Sequence, residues 1–257
     1  MTATLNLSGS CQTCVVSPLC TPRELSIDES SHFHAVPKER LMVAKGVCVY
    51  EAQSQVAKIF IIRRGSFKSE LALADGRTQV MGFHLPGDIL NIECLGGGRP
   101  HLNATAMEES EICSITLAEF DLIISTTPAL RNLTSRLLAS RIDEGNNQKM
   151  SIGSLCAEER ISGFLINWLS RLTGCGHLNE IFHLNMTQKD IGSYLGLENE
   201  TVSRILTRLA NKGLIYLKNR QLQLLDAGGL LKTAGEAKTL FWHRNIQGAG
   251  SPFLLGE

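Results

Sequence analysis

Thr187-Gln-Lys-Asp-Ile-Gly-Ser-Tyr-Leu-Gly196 and the segment after it, Leu197-Glu-Asn-Glu-Thr-Val-Ser-Arg-Ile-Leu-Thr-Arg-Leu-Ala-Asn-Lys-Gly213, decide how this chain is read. Thr187 is a good N-cap, and Asp190 three residues later completes a capping box. Ile191 and Leu195 fall on one inward face. Gly196 suits the positive φ of a tight turn. A second helix is predicted from about Asn199 to Asn211, with Val202, Ile205, Leu206 and Leu209 as its buried stripe and Lys212-Gly213 as its end. Two helices joined this way form a helix-turn-helix.

The opposite face of the second helix carries Glu200, Ser203, Arg204, Thr207 and Arg208. Glu200 and Arg204 are four apart and share one face near the helix N-terminus. In this motif that end enters the major groove. Arg suits bidentate contact with guanine, and Glu accepts from cytosine, each good pair supplying about 1–3 kcal/mol of base discrimination. A competing reading is a Glu–Arg ion pair on a solvated face; the capped helix and glycine turn just before it favour base reading. Thr187, at the start of the first helix, and Arg208, further along the second, are additional candidate DNA contacts.

Working outward, the chain is neutral overall, yet bases outnumber acids six to three between Thr187 and Arg220. Leu214 to Leu225 reads as two short strands about Lys218-Asn219-Arg220, the hairpin of a winged helix. Lys218 and Arg220 at its tip would touch phosphates, adding affinity and salt dependence without sequence choice. Upstream, residues 157–172 form an amphipathic helix with Ile161, Phe164, Leu165, Trp168, Leu169 and Leu172 facing a core, and Phe182-His-Leu184 a short strand. From Pro128 to Met150, Leu130, Leu133, Leu137, Leu138 and Ile142 recur at three- and four-residue steps. That stripe fits packing on its own domain or pairing with a second copy. Gly145, costing about 1 kcal/mol relative to Ala in a helix interior, predicts a marginal interface.

From about Lys38 to Leu117 the pattern is short strands. Val47–Tyr50, Lys58–Ile62 and Ser66–Leu73 are β-prone, and Lys45-Gly46, Arg64-Gly65, Asp75-Gly76 and Pro86-Gly87 are turn signals. Asp-Gly between strand-like runs predicts a hairpin. The whole suggests an antiparallel roll or barrel.

The N-terminal 30 residues lack periodicity but hold Cys11-Gln-Thr-Cys14-Val-Val-Ser-Pro-Leu-Cys20, three thiols at C-x₂-C-x₅-C spacing. Three soft ligands this close can wrap one metal centre, and a tetrahedral sulfur site wants a fourth. Cys113 is the best candidate. Structural zinc, redox-active thiols and an iron–sulfur cluster all remain open on the residues alone. Of eight cysteines, Cys48, Cys94, Cys156 and Cys175 have apolar neighbours and are read as small core residues.

A hydrophobic content of 43% fits a packed globular protein, and no run of eighteen apolar residues suggests a membrane span. The N-terminus lacks a secretory pattern, so a cytoplasmic location is expected. No nucleophile elbow, P-loop or His-rich metal triad supports an enzyme.

These features together resemble the oxygen-sensing, FNR-type branch of the CRP/FNR transcription regulators. The resemblance runs from Cys11 to about Leu225. It rests on the cysteine spacing, on Cys113 within Glu111-Ile-Cys-Ser-Ile115, on Gly65 and Gly87-Asp88 at the turns of a cyclic-nucleotide-binding-like β-roll, and on Glu200-Thr-Val-Ser-Arg204, which matches an E-x-x-S-R signature. Glu198 is a departure, since relatives often place Thr or Ser there; Asn199 is the alternative cap, with a shifted helix start.

What the resemblance implies is an α+β chain: a cysteine-rich cluster-binding arm at 1–30, a β-roll sensor at 31–127, a long dimerisation helix at 128–153, a winged helix-turn-helix at 154–230 and a tail at 231–257. It implies one [4Fe-4S] cluster per subunit on Cys11, Cys14, Cys20 and Cys113. It implies a homodimer that binds palindromic double-stranded DNA, TTGAT and ATCAA half-sites four base pairs apart, through Glu200, Ser203 and Arg204, and that engages RNA polymerase, with surface loops such as Asp75-Gly76 as contacts. Oxygen takes the cluster through a [2Fe-2S] form and destroys it, so the dimer weakens and DNA is released. Cyclic nucleotide is not expected as a ligand. Asp88 stands where nucleotide-binding relatives have Glu, and Arg99-Pro100 replaces their Arg-Ser or Arg-Thr pair. The alternative is a regulator of the same fold that senses a small effector or uses zinc.

Overall fold

The computed structural model describes residues 38–174 and 181–237, in two compact units, with the chain passing from one to the other between Leu138 and Ala139. In the first unit, strands β1 (Glu39–Val43), β2 (Cys48–Tyr50), β3 (Lys58–Arg64), β4 (Phe67–Ala72), β5 (Thr78–His84), β6 (Ile89–Leu90), β7 (Asn103–Ala106) and β8 (Ser110–Thr116) precede helix α1 (Leu117–Thr126). They form two antiparallel sheets, in the orders β1-β8-β3-β6 and β2-β7-β4-β5. The Asp75-Gly76 turn joins β4 to β5: Gly76 has φ 86°, and Leu73 and Arg77 bond across it at 2.8 Å.

The run Lys58-Ile-Phe-Ile-Ile62 is apolar on both faces because its sheet is covered on both. Phe60 and Ile62 join Val43, Leu90 and Ile112 against Tyr50, Phe67, Ala104 and Ala106 of the second sheet. Ile59 and Ile61 point the other way, where they meet Cys113, Ile115 and Phe120 of α1. Thr116 caps α1 with a capping box to Glu119: Thr116 N–H and Oγ1–H donate to Glu119 Oε2 at 3.1 and 2.6 Å, and Glu119 N–H returns to Thr116 Oγ1 at 3.2 Å.

Helix α2 (Pro128–Ser154) crosses the boundary between the units. Its leucine stripe divides. Leu130 and Leu133 pack on Ile123 and Ile124 of their own unit, whereas Leu138 and Ile142 are 38% and 65% exposed. The first pair therefore follows the self-packing reading, Leu137 is half-buried, and Leu138 and Ile142 are left exposed.

The second unit adds α3 (Ala157–Gly174), β9 (Ile181–His183), α4 (Gln188–Leu195), α5 (Asn199–Asn211), β10 (Ile215–Lys218), β11 (Gln221–Leu224) and α6 (Ala227–Ala234). The predicted α3 stripe is buried throughout, with Trp168 stacked on Phe164 at 6.4 Å and Phe164 against Tyr194 of α4 at 5.8 Å. The three strands form one sheet in the order β10-β11-β9.

The expected tail from 231 starts too early. Asp226 caps α6 through Gly229 N–H at 2.9 Å, and Leu230, Ala234 and Ala237 are fully buried, with α6 packed on α3. The pair Gly228-Gly229 masked this helix in the sequence, because glycine is a poor helix former. The rest of the expected tail, 238–257, lies outside the described residues, as does the cysteine-rich arm.

Candidate functional site

Thr187 and Asp190 make the predicted capping box at the start of α4. Thr187 N–H and Oγ1–H donate to Asp190 Oδ2 at 2.8 and 2.6 Å, and Asp190 N–H donates to Thr187 Oγ1 at 3.0 Å. Gly196 ends α4 with φ 65°, ψ 43°. Gly192 is a second required glycine that the sequence reading missed. A Cβ there would lie 2.5 Å from Leu197 O and 3.4 Å from Val202 Cγ2, so the turn folds back onto bare backbone. Leu197 N–H closes it on Gly192 O at 2.8 Å.

This turn presents α5. Val202, Ile205, Leu206 and Leu209 are buried, as the 3.6-residue period requires. Glu198 is the N-cap residue and makes no side-chain cap bond, while Asn199 is already helical. The alternative cap at Asn199 is therefore not used. Glu200 and Arg204 are exposed at the helix's first turns, and Ser203 is half-buried. Among the described residues Glu200 has no hydrogen-bond or ion-pair partner, and Arg204 makes one long bond, to Thr201 Oγ1 at 3.5 Å. The solvated Glu–Arg ion pair weighed from the sequence does not form, and both side chains are left facing solvent.

Arg208 stands differently. Its Nη1 lies 3.2 Å from Glu158 Oε2, and Lys212 Nζ lies 2.7 Å from Glu158 Oε1. Glu158 sits in the first turn of α3, fifty residues away in sequence, and no local pattern marks it as a partner. Lys212, then Arg208, hold its carboxyl below the ordinary carboxylate range.

The wing forms as read. Lys218 pairs with Gln221 across a two-residue turn in which Asn219 and Arg220 have φ 50° and 64°. Two positive φ values in succession define the type I′ turn that matches strand twist. Lys218 and Arg220 are both exposed at this tip. Arg220 O also accepts from Leu184 N–H at 2.8 Å, tying the tip to the strand before α4.

Of the four candidate metal ligands, Cys113 is described and Cys11, Cys14 and Cys20 lie outside the described residues. Cys113 is on β8 and 8% exposed, turned away from the inter-sheet core into the layer under α1. Ile59, Ile61, Ile115 and Phe120 surround it, with Ile89, Leu95, Leu117 and Ile124 at the margin. In register it faces Arg40 on β1, the strand on which the chain emerges from the N-terminal segment. A soft sulfur donor in a dry shell fits a sulfur-ligated metal, since the surrounding apolar residues control water access. The read-out of the other cysteines is mixed. Cys94 is buried and Cys48 half-buried, and burial pushes both thiols up, as inert packed thiols require. Cys156 is exposed, which overturns its core assignment: it precedes α3, where its N–H is bonded by Glu159 Oε2 at 2.8 Å, and no element covers it. Cys175 is outside the described residues.

Asp88 and Arg99 are both turned to local work. Asp88 Oδ2 accepts from Leu85 N–H at 2.9 Å within its own turn, and Arg99 Nη1 reaches Gln53 O at 3.4 Å.

A cyclic nucleotide-binding domain family matches residues 40–127, and a Crp-like helix-turn-helix domain family matches residues 159–233. A transcriptional regulatory protein, btr, of Bordetella pertussis is 32% identical over 89% of this chain and 95% of its own length. The fumarate nitrate reduction regulatory protein of Klebsiella oxytoca is 31% identical over 90% of this chain and 92% of its own. Among solved structures, FixK2 from Bradyrhizobium japonicum is similar at TM-score 0.70 and 26% identity, covering 77% of this chain and 98% of that one. A fold of two sheets, long helix and winged helix-turn-helix, with relatives this alike over nearly their whole length, makes this chain a member of the CRP/FNR family of DNA-binding transcription regulators, which are not enzymes.

Proposed function

We propose that this regulator responds to oxygen through an iron–sulfur cluster held by Cys11, Cys14, Cys20 and Cys113, binds DNA as a homodimer while the cluster is intact, and controls anaerobic gene expression from the cytoplasm. The observation that carries the reading is the pairing of the C-x₂-C-x₅-C spacing with a buried Cys113 opposite Arg40. Cys20 lies twenty residues before Arg40. At 3.3–3.6 Å per residue such a segment spans up to roughly 70 Å, ample for it to return to Cys113. Relatives named as fumarate and nitrate reduction regulatory proteins support it. When bound, the cluster would be held by Cys11, Cys14, Cys20 and Cys113 and would supply iron–thiolate bonds linking the arm to β8. The residues of this chain then have separate tasks. Ile59, Ile61, Ile115 and Phe120 keep water from the Cys113 ligand. Leu138 and Ile142 offer an apolar surface to a second subunit. The stripe is short and is followed by Gly145, so dimerisation is marginal and open to bias by ligand binding.

In the dimer, two copies of α5 meet successive major-groove faces. Glu200, Ser203 and Arg204 read the TTGAT-like half-site, and Lys218 and Arg220 hold phosphates with Thr187 at the start of α4. RNA polymerase is the further partner. The test is anaerobic purification, a visible spectrum, iron and sulfide analysis, and admission of air. A brown protein near four iron and four sulfide per chain, bleaching as the dimer dissociates, is the expected result. A colourless dimer indifferent to air that still binds DNA would leave a same-fold regulator using zinc or a small effector.

A further inference from the structure

The exposed side of α5 is not uniform. At its N-terminal end Glu200 and Arg204 face solvent with no ion-pair partner among the described residues, while at its C-terminal end Arg208 and Lys212 share one carboxylate. Glu158 holds each with a different oxygen, at 3.2 and 2.7 Å. Its side chain is 21% exposed against 57% for Arg208 and 49% for Lys212, so the carboxylate is the more buried partner of both cations. Cation charge at a DNA-binding surface raises affinity for every sequence alike. Reducing that charge at one end of the helix shifts discrimination to the other.

We propose that Glu158 is a specificity-determining positioning residue: it clamps Arg208 and Lys212 and offsets one of their two positive charges, so that the C-terminal end of α5 contributes less phosphate attraction and binding depends more on the Glu200–Arg204 end. This rests on α5 being the DNA-reading helix, and it reassigns Arg208 from DNA contact to clamp partner. Each additional phosphate neutralised steepens the slope of log affinity against log salt by about 0.9, and raises non-specific affinity about 5- to 10-fold at 0.1 M salt.

The test uses the full-length chain, purified anaerobically, with a duplex carrying TTGAT and ATCAA half-sites and a scrambled duplex of equal length, each titrated from 50 to 200 mM salt. Glu158→Gln is expected to bind the scrambled duplex about 5- to 10-fold more tightly and with a slope steeper by about one, so that the cognate-to-scrambled ratio falls. Glu158→Asp, which keeps the charge, should recover most of the ratio. Arg208→Gln in the otherwise unchanged chain should alter the slope by less than half the change produced by Lys218→Gln. This last variant decides the matter even where Glu158→Gln folds poorly. An unchanged slope in Glu158→Gln, or equal slope changes for Arg208→Gln and Lys218→Gln, would overturn the inference. If the unmodified chain fails to prefer the cognate duplex, the reading of α5 fails instead.

Discussion

Gly192→Ala and Gly145→Ala are the same substitution in two helices, and the structure gives them opposite signs. At Gly145, in the exposed middle of α2, an added Cβ meets nothing within 4 Å. Replacing glycine there removes its entropic penalty and should stabilise by about 0.5–1 kcal/mol. At Gly192 the same gain is opposed by a methyl group 2.5 Å from Leu197 O, where ordinary contact begins at 3.4 Å. The obstacle is backbone, held by the 2.8 Å bond from Leu197 N–H to Gly192 O, so it cannot rotate away. Overpacking of this kind costs about 1–3 kcal/mol. The net effect is destabilisation by roughly 1–2 kcal/mol, or a midpoint lower by roughly 3–8 °C for a unit of this size. Because relief would displace the turn that carries α5, cognate DNA binding should weaken as well. Thermal and denaturant unfolding of both variants, followed by circular dichroism, measures the signs. If Gly192→Ala stabilises to the same degree as Gly145→Ala, the close approach of α4 to the turn, and the reasoning built on it, is wrong.

Arg204→Ala should reduce preference for the cognate half-site by about 5- to 150-fold, the equivalent of 1–3 kcal/mol, whereas Lys218→Ala should weaken cognate and scrambled DNA equally; competition binding separates the two. Cys113→Ser should abolish bound iron and dimer in anaerobically purified protein, while Cys48→Ser should retain both; retained iron in the first variant would remove Cys113 from the ligand set. For the capping box of α1, the Thr116 side chain and then its backbone hold the Glu119 carboxyl below its ordinary value of 4.5. A depressed folded-state value means that this stabilisation is fully present above pH 4.5 and is lost as pH falls below it. Glu119→Gln should therefore flatten the acid limb of the stability profile, and Thr116→Ala should cost about 1 kcal/mol at neutral pH.

How much was legible beforehand follows from how local each signal is. The α5 stripe, the Thr187–Asp190 box, the Gly196 turn and the Lys218–Arg220 wing each involve residues within a few positions of one another, and each formed as read. Apolar periodicity was legible too, but not its destination. The leucines of α2 form one stripe in sequence, yet Leu130 and Leu133 are covered by α1 while Leu138 and Ile142 are not. Cys156 has apolar neighbours in sequence and none that bury it in space. Helix α6 was hidden because two glycines lower its intrinsic propensity, and burial of Leu230, Ala234 and Ala237 against α3 overrides that penalty.

The sequence by itself determined the family resemblance, the capped helix-turn-helix, the face of α5 that is left exposed and the thiols available to a metal, because caps, turns and periodicity are properties of neighbouring residues. Only the tertiary structure decided that Gly192 must lack a side chain, that Cys113 lies in the apolar layer beneath α1, and that Arg208 answers to Glu158. Those outcomes depend on which elements are brought within a few ångströms of each other across fifty or more residues of chain, or across a turn that folds back on itself, and sequence spacing alone does not encode that distance.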